Sequence, residues 1–148
     1  MLIKAGAIDS PYQFHWKRFL LENFPKGTGF PPLQAPAITD DLPLAPVQAF
    51  SIDDSHTTEI DDALSLQGLG TGTVTVGIHI AAPGLALQPG DAIDQIGRQR
   101  LSTVYMPGHK ITMLPDAVVQ HYTLQEGRAC PALSLYVQFD AATLAITD

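Results

Sequence analysis

The run Thr73-Val74-Thr75-Val76-Gly77-Ile78-His79-Ile80 alternates without a break, with Val74, Val76, Ile78 and Ile80 on one side and smaller or polar residues on the other. A period of two is the spacing of side chains on a β-strand, so the stretch predicts a strand, and its apolar side is expected to face the core. Leu133, Leu135, Val137 and Phe139 repeat the pattern near the end of the chain. Val47 to Ile52 and Ala63 to Leu66 add two strand candidates, the second running into the glycine-rich turn at 68–72. Such spacing implies a twisted, mostly antiparallel sheet.

Three helices are expected around it. Ser10 before Pro11 is a start signal, a capping hydroxyl ahead of a proline at the first helical position. A helix should run to about Asn23, with Tyr12, Trp16, Phe19 and Leu20 forming one apolar stripe that reads as a packing face. Pro89-Gly90-Asp91 opens a second helix with Asp91 as cap, placing Ile93, Ile96, Arg100 and Leu101 on one side and Arg98 and Arg100 at the negative dipole end. A short third helix is expected over Pro115 to His121. The fold class is therefore α+β, a sheet flanked by helices.

Six prolines between Pro25 and Pro46 break periodicity there, and the segment predicts an extended linker. The expected organisation is a helical lead over 1–24, a linker over 25–46 and a folded domain over 47–148. Cys130 is the single cysteine and so forms no intrachain disulfide; it reads as a small buried hydrophobe in a reducing compartment. With no secretory pattern at the N-terminus and no bilayer-length apolar run, a cytoplasmic location without membrane contact is expected.

The chemistry sits between Asp53 and Asp62. Asp53, Asp54, Glu59, Asp61 and Asp62 put five carboxylates into ten residues with no lysine or arginine among them, in a chain whose formal net charge is −7. Like charges at this density raise one another's pKa unless a cation lets them ionise together. Most charge runs are solvated loops, but Phe50, Ile52, Ile60, Ala63 and Leu64 frame this one with apolar residues, and charges in such surroundings need partners. Oxygen ligands suit Mg²⁺, with Mn²⁺ as a substitute, and a few carboxylates with water and phosphate oxygens complete the shell of such an ion. Phosphodiester cleavage is the first expectation. The chain lacks the basic surface of a protein that grips nucleic acid by charge alone. His56 reads as a solvated member of the acidic loop, His79 as structural, and Asp54 as pointing into solvent.

The stretch Phe50-Ser51-Ile52-Asp53 through Glu59-Ile60-Asp61-Asp62-Ala63-Leu64 resembles the catalytic signature of the RNase II (RNB) family of 3′-to-5′ exoribonucleases. Val76-Gly77-Ile78-His79-Ile80-Ala81, Arg100 through Gly108 and Met113-Leu114-Pro115 are similar to three further ordered blocks of that family. The resemblance implies Mg²⁺-dependent hydrolysis of single-stranded RNA to nucleoside 5′-monophosphates by a catalytic domain, here its N-terminal part with a partial barrel. By the same resemblance Asp53 and Asp62 bind the metal and Asp61 is the acid closest to the chemistry, through the attacking water or a second ion. Glu59 completes the four acids expected to act in catalysis and to surround the metal; it stands where the family commonly has Asp, so its carboxylate reaches roughly 1.5 Å farther and acts from the outer edge of the site. Tyr105 matches an aromatic that stacks on the terminal base.

Ala82 departs from the pattern, since Asp usually follows His-Ile-Ala in the family. The later half of that catalytic domain, with its phosphate-stabilising arginine, and the flanking RNA-binding domains are expected elsewhere. Weak or no turnover is therefore expected from these residues alone. Two other classes compete: a degenerate, non-catalytic module that binds RNA or a partner, and an interaction protein whose acidic loop holds a structural cation.

Overall fold

A computed structural model describes all 148 residues, and the chain divides into two compact units, Met1–Pro32 and Leu33–Asp148. No helix is long and apolar enough to cross a membrane.

The first unit holds helix α1, Pro11–Asn23. Ser10 caps it as expected: its Oγ accepts the Gln13 amide at 3.2 Å, and Pro11 occupies the first turn, where a missing N–H costs nothing. The aromatic stripe packs on itself, with the Trp16 and Phe19 rings stacked at 6.2 Å and Phe19 5.9 Å from Phe24. No residue of α1 is fully buried.

The second unit contains strands β1 (Ala49–Phe50), β2 (Asp62–Gln67) and β3 (Thr73–Ala81), a single 3₁₀ turn at Pro83–Leu85, helix α2 (Ala92–Arg100), strands β4 (Val104–Met106) and β5 (His109–Ile111), helix α3 (Asp116–Tyr122) and strand β6 (Ala132–Asp140). An open antiparallel sheet in the order β1-β2-β3-β6 forms its frame, and β4 and β5 make a separate hairpin closed by Pro107-Gly108. The sheet does not close into a barrel, and the hairpin was not signalled by alternation. Residues 146–148 turn back beside β6, where Ile146 bridges to Phe139.

The side of the sheet that is covered is the opposite of the expected one. Leu64, Ile78 and Leu135 lie in register on one face, with Leu66, Val76 and Val137 beside them, yet Leu135 is 60% and Leu133 74% exposed. The other face carries Ala63, Ser65, Gly77 and His79, all buried. A cavity of about 780 Å³ lies over this second face, walled by parts of segments 42–51 and 124–130. The His79 ring itself helps cover this face, since a Cβ on Gly77 would overlap Ser65 Oγ and the imidazole. His79, 5% exposed, has both ring nitrogens satisfied, Nδ1 with Ser134 Oγ and Nε2 with Ser65 Oγ, each at 2.8 Å. A buried imidazole is stable in that setting because neither nitrogen loses its hydrogen bond.

The apolar core proper lies beside the helices. Ile93, Val118 and Tyr122 are its buried centre, and Leu33, Ala35 and Ile38 pack against them together with Leu87 and Leu114. The proline-rich segment expected to be a linker thus contributes part of the core, and the Tyr122 hydroxyl donates to the Pro36 carbonyl. Asp91 caps α2 as expected, its Oδ1 accepting the Asp94 amide at 2.7 Å and its Oδ2 the Gln88 amide at 3.0 Å, which holds its carboxyl below the usual range. Leu101, expected on the buried side of α2, instead leaves the helix with a φ of 64° and is exposed. Cys130 is half-buried, its thiol facing the carbonyls of Gln125 and Arg128.

Candidate active site

The acidic residues occupy the loop from β1 to β2, and the two limbs of that loop are held differently. In the first limb Asp54 turns inward on its own backbone: its Oδ1 accepts the His56 amide at 3.2 Å and its carbonyl accepts the Thr57 amide at 2.9 Å. This Asx turn presents Asp53 and His56 to solvent. The second limb is fastened to distant elements. The Gln120 side chain donates to the Thr58 carbonyl at 3.2 Å, and the Thr123 hydroxyl accepts the Ile60 amide at 2.7 Å while donating to the Ile60 carbonyl at 3.2 Å. The Leu124 amide donates to the same carbonyl at 2.9 Å, and the Ala81 amide donates to the Asp61 carbonyl at 2.8 Å. Asp61 therefore projects from a backbone held by the end of α3 on one side and the end of β3 on the other, with Asp62 the first residue of β2 and paired with Ile80.

The Asp61 carboxyl is raised above the ordinary aspartate range. Partial burial is the largest cause, followed by the charges of Glu59, Asp62 and Asp53. Lys110 acts in the opposite sense. A raised carboxyl is least costly to the fold when protonated, so this group removes stability as pH rises through its titration, and a nearby cation would restore it.

Glu59, expected among the acids of the metal site, lies in an ion pair within the chain. Its side chain is only 10% exposed, and its Oε1 pairs with Lys110 Nζ at 3.1 Å. Nothing local in the sequence announces this, because Lys110 arrives from β5. The same ammonium lies 5.5 Å from the centroid of the Tyr105 ring, its direct partner across the hairpin. Tyr105 does not turn its ring onto the core; it is 69% exposed.

Asp53, Asp61 and Asp62 are exposed residues, with the Asp61 carboxyl partly covered, and none has an ion pair to a basic residue. No three carboxylates, imidazoles or thiols are arranged as ligands of one ion. By donor type the three aspartates suit a hard divalent cation, and their mutual repulsion favours one, but binding requires the side chains to draw inward. Gln120, Thr123 and Lys110, which set this geometry, were not singled out by sequence; each acts on a loop residue across at least 51 positions of chain.

The RNB domain family matches residues 42–148. The chain belongs to the RNB family. An uncharacterized ribonuclease of Synechocystis sp. is 37% identical over 98 residues, covering 66% of this chain and 15% of the relative. Exoribonuclease 2 of Vibrio cholerae is 37% identical over 100 residues, covering 67% of this chain and 14% of the relative. Among solved structures, yeast Ssd1, described as a pseudonuclease, superposes with a TM-score of 0.63 at 26% identity, over 69% of this chain and 12% of that one. This RNB chain thus spans about one-seventh of the length of the curated relatives it matches.

Proposed function

We propose that this RNB chain contributes the acidic half of the active site in a Mg²⁺-dependent exoribonuclease of the RNase II type, which removes nucleoside 5′-monophosphates from the 3′ end of single-stranded RNA. The observation that carries the reading is the crowding of Asp61 by Asp53, Glu59 and Asp62 on a backbone clamped from two sides. Family membership and the naming of a matched relative as an exoribonuclease support it.

In this reading Asp53 and Asp62 hold the ion, with Asp61 beside them. The ion, Mg²⁺ or Mn²⁺, supplies Lewis acidity toward a phosphodiester oxygen and toward water. The residues of the chain do the positioning. The Thr123 and Ala81 contacts fix the Asp61 main chain, so that its carboxylate is presented to the ion and to the water in one orientation. The exposed Tyr105 ring offers a stacking surface for the terminal base, worth about 1 to 3 kcal/mol per base and indifferent to sequence. Glu59, already paired with Lys110, shapes the edge of the site. The remaining catalytic-domain residues, including a phosphate-stabilising arginine, and the RNA-binding domains are supplied outside these 148 residues.

The test is hydrolysis of a 5′-labelled single-stranded RNA in Mg²⁺ by the full-length protein and its Asp61→Asn variant. The variant should lose cleavage by about 100-fold or more while still binding RNA. Equal turnover would remove Asp61 from the chemistry. A second reading, a non-catalytic RNA-binding RNB module, is favoured by the likeness to the Ssd1 pseudonuclease and by the Glu59–Lys110 pair; it predicts that both proteins bind RNA and neither cleaves.

A further inference from the structure

Asp53, Asp61 and Asp62 have no ion pair to a basic residue, so a phosphate brought beside them meets uncompensated negative charge. A base lying on Tyr105 carries its phosphate within one nucleotide of the ring. Repulsion there is offset by a divalent ion on the acidic side and needs a second cation on the ring side. Three observations put Lys110 in that place. It stands directly across the β4–β5 hairpin from Tyr105. Its ammonium is 5.5 Å from the ring centroid and 3.1 Å from Glu59 Oε1, so it spans the gap between the stacking surface and the acidic loop. Its side chain is 32% exposed, while that of Glu59 is only 10% exposed, so the pair reaches solvent from the lysine side.

We propose that Lys110 contacts the phosphate of the nucleotide whose base stacks on Tyr105, its ammonium kept at the mouth of the site by the ion pair with Glu59. The inference rests on the exoribonuclease reading and adds to it a cation supplied by this chain. An ammonium has three donors, so one can stay on Glu59 while the others face a phosphate oxygen. The competing account is a strut: the ion pair merely fastens the hairpin to the loop and touches no RNA.

The two accounts differ in salt dependence. Each phosphate contact made to a single strand contributes about −0.7 to the slope of log K against log[salt], whereas loss of a strut lowers affinity without changing the slope. The experiment measures fluorescence anisotropy of a labelled oligoadenylate with the full-length protein in an Asp61→Asn background, so that the probe survives, between about 50 and 200 mM NaCl. Lys110→Met and Lys110→Gln should each weaken binding several-fold at the lower salt and flatten the slope by about 0.7, and Lys110→Arg should keep the parental slope. An unchanged slope in folded Lys110→Met or Lys110→Gln overturns the proposal, as does a slope lost equally in Lys110→Arg. If the Asp61→Asn parent itself shows no salt-dependent RNA binding, the exoribonuclease reading falls as well; if that parent binds with a salt-dependent slope while the Lys110 variants match it, only the phosphate contact falls.

Discussion

The two faces of the β2-β3-β6 sheet are built from opposite materials and have opposite fates. One is apolar and exposed: Leu66, Ile80, Leu133 and Leu135 all present large side chains to solvent. The other is small and polar on β2 and β3 and is buried there, with His79 bonded to Ser65 and Ser134 and its ring meeting that of Tyr136 at 73° with centroids 5.7 Å apart, while Ser134 and Tyr136 on β6 are exposed. Burial here follows the covering segments 42–51 and 124–130 and the His79 ring rather than the hydrophobicity of the strands. Once buried, the polar face is tightly specified because each hydrogen bond constrains the next, whereas the open apolar face has little to specify it.

Gly77 offers the strongest means of breaking that contrast. A Cβ at this position would overlap Ser65 Oγ and come within 2.7 Å of His79 Nε2. Gly77→Ala should destabilise the protein by about 1 to 3 kcal/mol, read as a lowered midpoint in denaturant, because neither strand partner can withdraw without losing the His79 hydrogen bonds. A change near zero would mean that the polar face is looser than its geometry implies. At the weak end stands Leu135→Ser on the open face, expected to change stability by no more than about 0.5 kcal/mol in the same assay. A loss of several kcal/mol in the full-length protein would show that this face is covered there.

The helix starts are legible in the sequence, whereas the end of α2, the short β4–β5 hairpin and the covered face of the sheet are not. The caps at Ser10 and Asp91 are decided within three residues, so the starts of α1 and α2 could be placed from chain order alone. The strands around Val76 and Val137 follow from their period of two. Alternation assigns residues to faces but does not say which face will be covered, and that depends on segments 42–51 and 124–130 arriving from elsewhere. Leu33, Ala35 and Ile38 gave no periodic signal because an extended segment can pack its side chains on a core without forming a helix or strand. At the site, the motif singles out the acids and Tyr105, and the structure leaves Asp53, Asp61, Asp62 and Tyr105 exposed. The Glu59–Lys110 pair was not legible, since it links residues 51 positions apart on a hairpin that the pattern did not reveal. The clamp of Thr123 on Ile60 spans 63 positions and was hidden for the same reason.

The acidic loop differs from both faces in that its stability depends on charge, and the account stands on a cation shared by Asp53, Asp61 and Asp62. Titration of Mn²⁺ into the protein by isothermal calorimetry, beside an Asp53→Asn/Asp62→Asn double variant of equal fold, reads this directly. Saturable binding by the parent, weakened about tenfold or more in the variant, is the predicted result. Indistinguishable isotherms, or no heat of binding from either protein, would contradict it.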